Sequence, residues 1–227
     1  MAKEKVSRKE LLKKPDEFIT FSSRAIAYVN EHSRLFRYIG IVIACLVLIF
    51  LGINYYVKYI QKKGQESYSM AYHLIVKNMG LEKNQEELKK SEELFEEVID
   101  KYDISKAARL ALPEIAYLKF LQKKYDEAIS RYQEFLKKSH GEPYQSLARI
   151  ALSVCYEEKG DFKNAISTLE RIRSGPDDFF KEQAMLSMAR IYRLQGDQNR
   201  SNEILTEFTE KFKNSPFLPI AEAYLNP

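Results

Sequence analysis

Tryptophan is absent from these 227 residues, and cysteine and histidine are scarce, at two and three. Two cysteines exclude a disulfide framework. Cys45 lies in an apolar run and Cys155 in a charged, helix-forming stretch, so they do not pair, and Cys155 reads as a small core residue. His32, His73 and His140 are scattered. No Cys/His/Asp/Glu group has metal-ligand spacing, and no base stands ready to activate a nucleophile, so neither a metal nor catalysis is expected. The eight glycines are dispersed, which excludes a phosphate-cradling loop, and no cofactor or small-molecule substrate is implied. Residues 64–227 lack a strand pattern and also a basic stripe with interleaved aromatics, the footprint of nucleic-acid binding.

Charge is missing altogether from residues 38–57, YIGIVIACLVLIFLGINYYV. Twenty helical residues span roughly 30 Å, the hydrocarbon thickness of a bilayer. Tyr38 stands at one end and Tyr55, Tyr56 and Tyr59 at the other, as interfacial aromatics do. Arg34 and Arg37 flank one side, and Lys58, Lys62 and Lys63 the other. A buried soluble helix of this length would need a larger protein around it. A cleaved signal would have a shorter leader and a small-x-small site, where this chain has Asn54-Tyr55-Tyr56. The expectation is one transmembrane helix over residues 38–58. Gly40 and Ala44 form one small-xxx-small step in it, a spacing that also permits helix pairing.

Basic residues close to the span nearly balance, three before it and four after. The tail as a whole does not. Residues 1–37 hold nine Lys/Arg and five Asp/Glu, which is the entire +4 excess of the chain. Residues 1–37 are therefore expected in the cytoplasm and residues 64–227 on the exported side. Lys3, Lys5, Arg8, Lys9, Lys13 and Lys14 suit anionic headgroups or a solvated tail that fixes topology. Phe18, Phe21, Ala25, Tyr28 and Val29 recur at helical spacing, which predicts an amphipathic helix for the membrane face or for a partner's surface.

Beyond the span, a unit recurs. Segments 91–102, 126–138, 163–175 and 199–212 align on Ser91, Ala128, Ala165 and Ser201, spaced 37, 37 and 36 residues. Four residues on come Phe95, Tyr132, Leu169 and Leu205; three further come Val98, Phe135, Ile172 and Phe208. An i, i+4, i+7 set is one face of an amphipathic helix. A second helix precedes each of the last three, with Ala116, Ser153 and Ala189 as its small residues. Gly160 and Gly196 suit left-handed helix ends, and Asp161 and Asp197 the next helix starts. Pro143, Pro176 and Pro216 mark helix stops. Pro113 lies where a first helix should run, so either that helix starts near it or it is kinked beside Tyr117 and Phe120. The fold class is all-α, with a single transmembrane helix followed by a solenoid of about four helix pairs.

This pattern resembles the tetratricopeptide repeat (TPR) over roughly residues 66–225, without the usual Trp and with bulky residues where a second Ala is common. The resemblance implies protein binding on a concave face lined by first helices. By register, Tyr117, Phe120, Glu157, Arg190 and Arg193 would point that way, or form ordinary solenoid surface. The full layout, with Tyr28-Val29-Asn30-Glu31-His32 just before the span, is similar to the YfgM-like family of bacterial inner-membrane proteins. That resemblance implies a single-pass anchor, a periplasmic TPR domain, and as partners the Sec translocon and a periplasmic chaperone or isomerase. The alternatives are a scaffold for envelope assembly or cell division, and a self-associating anchor protein.

Overall fold

The computed structural model describes residues 17–78, 84–139, 144–175 and 179–225. The six basic tail residues, His140, Pro143 and Pro176 lie outside them. Every regular element among the described residues is a helix: α1 (Glu17–Glu31), α2 (Ser33–Lys77), α3 (Gln85–Lys101), α4 (Lys106–Leu121), α5 (Tyr125–Lys138), α6 (Tyr144–Glu158), α7 (Phe162–Arg173), α8 (Lys181–Leu194), α9 (Gln198–Lys211) and α10 (Leu218–Leu225). The chain divides into two compact units, Met1–Tyr56 and Val57–Pro227.

In the first unit, α1 covers the segment whose periodicity predicts an amphipathic helix. His32 follows it; its amide donates to the Tyr28 carbonyl at 3.0 Å, and its ring centroid lies 4.4 Å from that of Tyr28. No residue from Ser33 to Tyr59 is buried. The apolar run thus presents every face outward, and α2 contains a window long and apolar enough to cross a membrane.

The second unit is a stack of helix pairs. Consecutive helices from α3 to α10 pack each against the next. The aligned positions explain why. Ser91, Ala128, Ala165 and Ser201 are fully buried, as are Phe95, Leu169 and Leu205, with Tyr132 nearly so. Small side chains let two helix backbones approach, and the Ser91 hydroxyl then donates to the Ala71 carbonyl of α2 at 2.8 Å. The cores follow one another along the chain. One joins Ala71 and Ile75 to Phe95, Val98, Ala111 and Ile115; the next holds Leu112, Ala128, Tyr132, Leu152 and Cys155; the last runs from Ala165 to Ala221. This is a repeat array, in which each unit is stabilised mainly by its neighbours.

Two local rules read differently in the structure. The repeat pattern begins near residue 66, but no helix starts there: α2 runs unbroken from Ser33 to Lys77. Gly64 is needed for closeness, since a Cβ there would sit 2.8 Å from Ser105 Oγ. Pro113 is inside α4, which starts at Lys106, so it does not begin the helix. Lacking an N–H, it leaves the carbonyl of exposed Arg109 without its helical donor.

The pair-internal turns share one design. Gly160 and Gly196 adopt φ of 73° and 79°, and Asp161 and Asp197 return their amides to Tyr156 and Tyr192. In the second pair Lys123 occupies the same place at φ 59°, with Lys124 returning its amide to Lys119. A side chain in the left-handed region costs about 1–2 kcal/mol. Lys123→Gly is therefore expected to stabilise the fold by about 1 kcal/mol, less glycine's unfolded-state entropy. Thermal melts of the full chain in mild detergent check this; an unchanged or lower midpoint refutes it.

Candidate functional site

The candidate residues lie on first helices of the pairs, α4, α6 and α8, and by repeat register these helices, the last part of α2 and α10 share one face. Glu157 on α6 and Arg190 on α8 are brought together. The guanidinium donates through both terminal nitrogens to the two carboxylate oxygens, with Nη2 to Oε2 at 2.7 Å. Glu157 is well shielded while Arg190 is half exposed, and this carboxylate raises the guanidinium pKa further. A bidentate pair fixes both orientation and spacing between adjacent helices. Arg193, one turn on, sits over the Tyr224 ring of α10, Cζ 4.3 Å from its centroid. Tyr117 and Phe120 lie apart from these, on α4. Tyr117 is half-buried against the first core, and the Phe120 ring centroid is 5.7 Å from that of Tyr125.

Between α8 and α10 runs a groove of about 680 Å3. Phe179 and Phe180 close one end, Leu186, Phe217 and Ile220 give the apolar lining, and Arg190 and Tyr224 frame the other end. Phe179 stands 80% exposed, and Phe217, Ile220 and Tyr224 are each more than 40% exposed. The charged groups at the margin are already matched: Arg190 by Glu157, and Glu182 by the Ser215 hydroxyl. An apolar floor with a satisfied polar margin resembles the core and rim of a protein interface. Sequence periodicity missed Phe179, Phe217, Ile220 and Tyr224, because they lie outside the four full units. The available signal was the Ile220, Ala221, Tyr224 spacing of one more short helix.

A second polar feature sits further up the same face. Glu114 on α4 accepts a hydrogen bond from the Tyr68 hydroxyl of α2 at 3.0 Å. Burial pushes the carboxyl pKa upward, and the tyrosine bond only partly offsets it. Burial, then Glu114, also pushes the Tyr68 phenol far above its usual range. An acid whose folded pKa is raised contributes most stability below the ordinary Glu range and loses it as pH rises through the folded value. Glu114→Gln keeps an acceptor for Tyr68 and removes the titration. The variant is expected to be more stable than the parent at pH 7, with the gap closing toward pH 4. Melting midpoints of both chains across that range check it; a constant gap refutes it. Carboxylates held low by lysines, such as Glu87 and Glu127, act with the opposite sign but cancel in the comparison.

Stacked helix pairs, repeating small-residue contacts and an open apolar groove define a helical-repeat protein-interaction module. Residues 33–184 match the tetratricopeptide repeat-like domain family, and residues 183–215 match a further tetratricopeptide repeat. The first match covers more than half of the chain, and the chain belongs to that family. Among solved structures, it is similar to the nearly identical TPR-like repeats of a Podosopora anserina kinesin light chain and to a single-substitution variant of them. Each is 14% identical, covers 71% of this chain and 82% of its own, and superposes with a TM-score of 0.54, a likeness of fold. No curated protein matches the chain.

Proposed function

We propose that this chain is a single-pass, N-in bacterial inner-membrane protein whose periplasmic TPR domain binds other proteins. The observation that carries the reading is the pairing of two exposed apolar surfaces in one chain. One is the uncharged run of α2, with no side chain buried from Ser33 to Tyr59; the other is the groove between α8 and α10. The first suits lipid and the second suits polypeptide. Resemblance to the YfgM-like family supports the Sec translocon and a periplasmic chaperone or isomerase as partners, and an ancillary role in export. The mechanism is tethering: an anchor near the channel exit raises the domain's effective concentration for emerging chains. Tyr117, Phe120, Glu157, Arg190 and Arg193 are proposed as contact residues, with Phe217 and Tyr224 added by the groove.

The test is purification of a C-terminally tagged full chain from native membranes in mild detergent, with partners identified by mass spectrometry. Translocon subunits and a periplasmic isomerase enriched above an untagged control are expected. Envelope-assembly or division factors without translocon would overturn the export role and leave a membrane-anchored scaffold.

A further inference from the structure

Most interhelical carboxylates in the repeat unit are matched to bases, whereas Glu158 and Glu182 accept from the Tyr125 and Ser215 hydroxyls. Glu92 and Glu127 both meet Lys119, Glu96 meets Arg131, Asp126 meets Lys159, Glu157 meets Arg190 and Glu207 meets Arg173. Glu114 also has a hydroxyl rather than a base as its partner, and burial raises its pKa. It is half-buried on the face carried by the first helices, and among the described residues no basic group lies beside it. Among the described residues its one hydrogen bond comes from a tyrosine.

Its donor, Tyr68, belongs to an aromatic cluster. The Tyr68 and Tyr72 rings stack with centroids 6.0 Å apart and planes 9° from parallel, over Phe95 at 5.2 Å from Tyr68. The Tyr144 hydroxyl, at the start of α6, is close enough to act electrostatically on Tyr68. The Tyr132 phenol of α5 is pushed up by burial first, then by Cys155 and by Glu114. Tyr72 and Tyr144 are exposed, so the cluster opens to solvent. Ring faces attract cations, and a desolvated carboxylate attracts them more. An anionic visitor would be repelled, and an apolar one would seal the acid away unpaired.

We propose that Glu114, beside the Tyr68–Tyr72 ring stack, receives a lysine or arginine side chain of a bound polypeptide. The site rests on the reading of this domain as a protein-binding module, and it adds a charge preference to that reading. By repeat register, the apolar groove of α8 and α10 and this cation seat fall on the same face of the repeat unit. A segment with a basic residue and a separate apolar stretch satisfies both.

The probe is a fluorescein-labelled dodecapeptide of Ser, Gly and Leu with one central arginine, and its twin with citrulline, which has the same shape without charge. Each is titrated by anisotropy onto the detergent-solubilised full chain. The arginine peptide is expected to bind about tenfold more tightly than its twin. In Glu114→Gln, whose melting midpoint is followed alongside, that preference should fall to within about twofold. Equal binding of the twins by the parent chain, or a preference that survives Glu114→Gln, overturns the cation seat but leaves a charge-indifferent protein-binding domain intact. Failure of both peptides to bind also overturns it, and the co-purification then decides separately whether the domain binds proteins at all.

Discussion

Phe95→Ala is expected to cost about 3–5 kcal/mol, the range for removing a fully enclosed aromatic ring. Phe95 is completely buried on α3 and joins the last part of α2 to α4 through Ala71, Ile75, Ala111 and Ile115. Its ring also supports Tyr68 edge-on. Small neighbours such as Ala71, Ala108 and Ala111 cannot swing in to refill the space, so most of the cavity should persist. A midpoint drop on the order of 10 °C follows for a domain of this size. Because stability in a repeat array is a sum of local and nearest-neighbour parts, the loss should also be localised. Hydrogen exchange should quicken over the last part of α2 and over α3 and stay slow in α8 and α9. Phe208→Ala, equally buried at the other end, should give the mirror image. Uniform acceleration in both variants would show that the pairs fold as one cooperative block and would refute the sequential picture.

The positions that reported this architecture are those where chemistry leaves little choice. A helix backbone approaches another only over a small residue, so Ser91, Ala128, Ala165 and Ser201 could be aligned from sequence and are all fully buried. The turn at Gly160 and Gly196 was equally legible, because a positive φ favours glycine. Lys123 hid the same turn in the second pair, since nothing about lysine announces a left-handed conformation. Gly64 permits a close contact with Ser105, 41 residues away in sequence, a constraint that local pattern cannot contain. The candidate site was partly legible for the same reason. Register placed Glu157 and Arg190 on one face, and the structure joins them in a bidentate pair. Register could not see that α10 would complete a groove with α8, or that Tyr68 would find Glu114 from 46 positions away.

If the uncharged run is the membrane anchor proposed above, Val47→Arg combined with Leu48→Arg is expected to release the protein from the membrane. Both residues lie near the middle of the uncharged run, and both are exposed on α2, at 50% and 68%. Neighbouring positions on a helix point about 100° apart, so the two charges cannot share one polar face. From the bilayer centre a side chain reaches the interface only by thinning the lipid around it. Each arginine costs about 2.5–3.5 kcal/mol on the insertion scale, so the pair costs on the order of 6 kcal/mol, enough to reverse insertion of a single span. Neither residue belongs to the repeat cores, so the second unit should keep its hydrogen-exchange protection. Alkaline carbonate extraction of membranes from a bacterial host reads the outcome. The parent chain should stay in the pellet and the double variant should appear in the supernatant or be degraded. A parent chain that extracts freely would mean that the run packs against protein rather than lipid. Its exposed apolar faces would then have to be covered by a partner, and the tethering mechanism would lose its anchor.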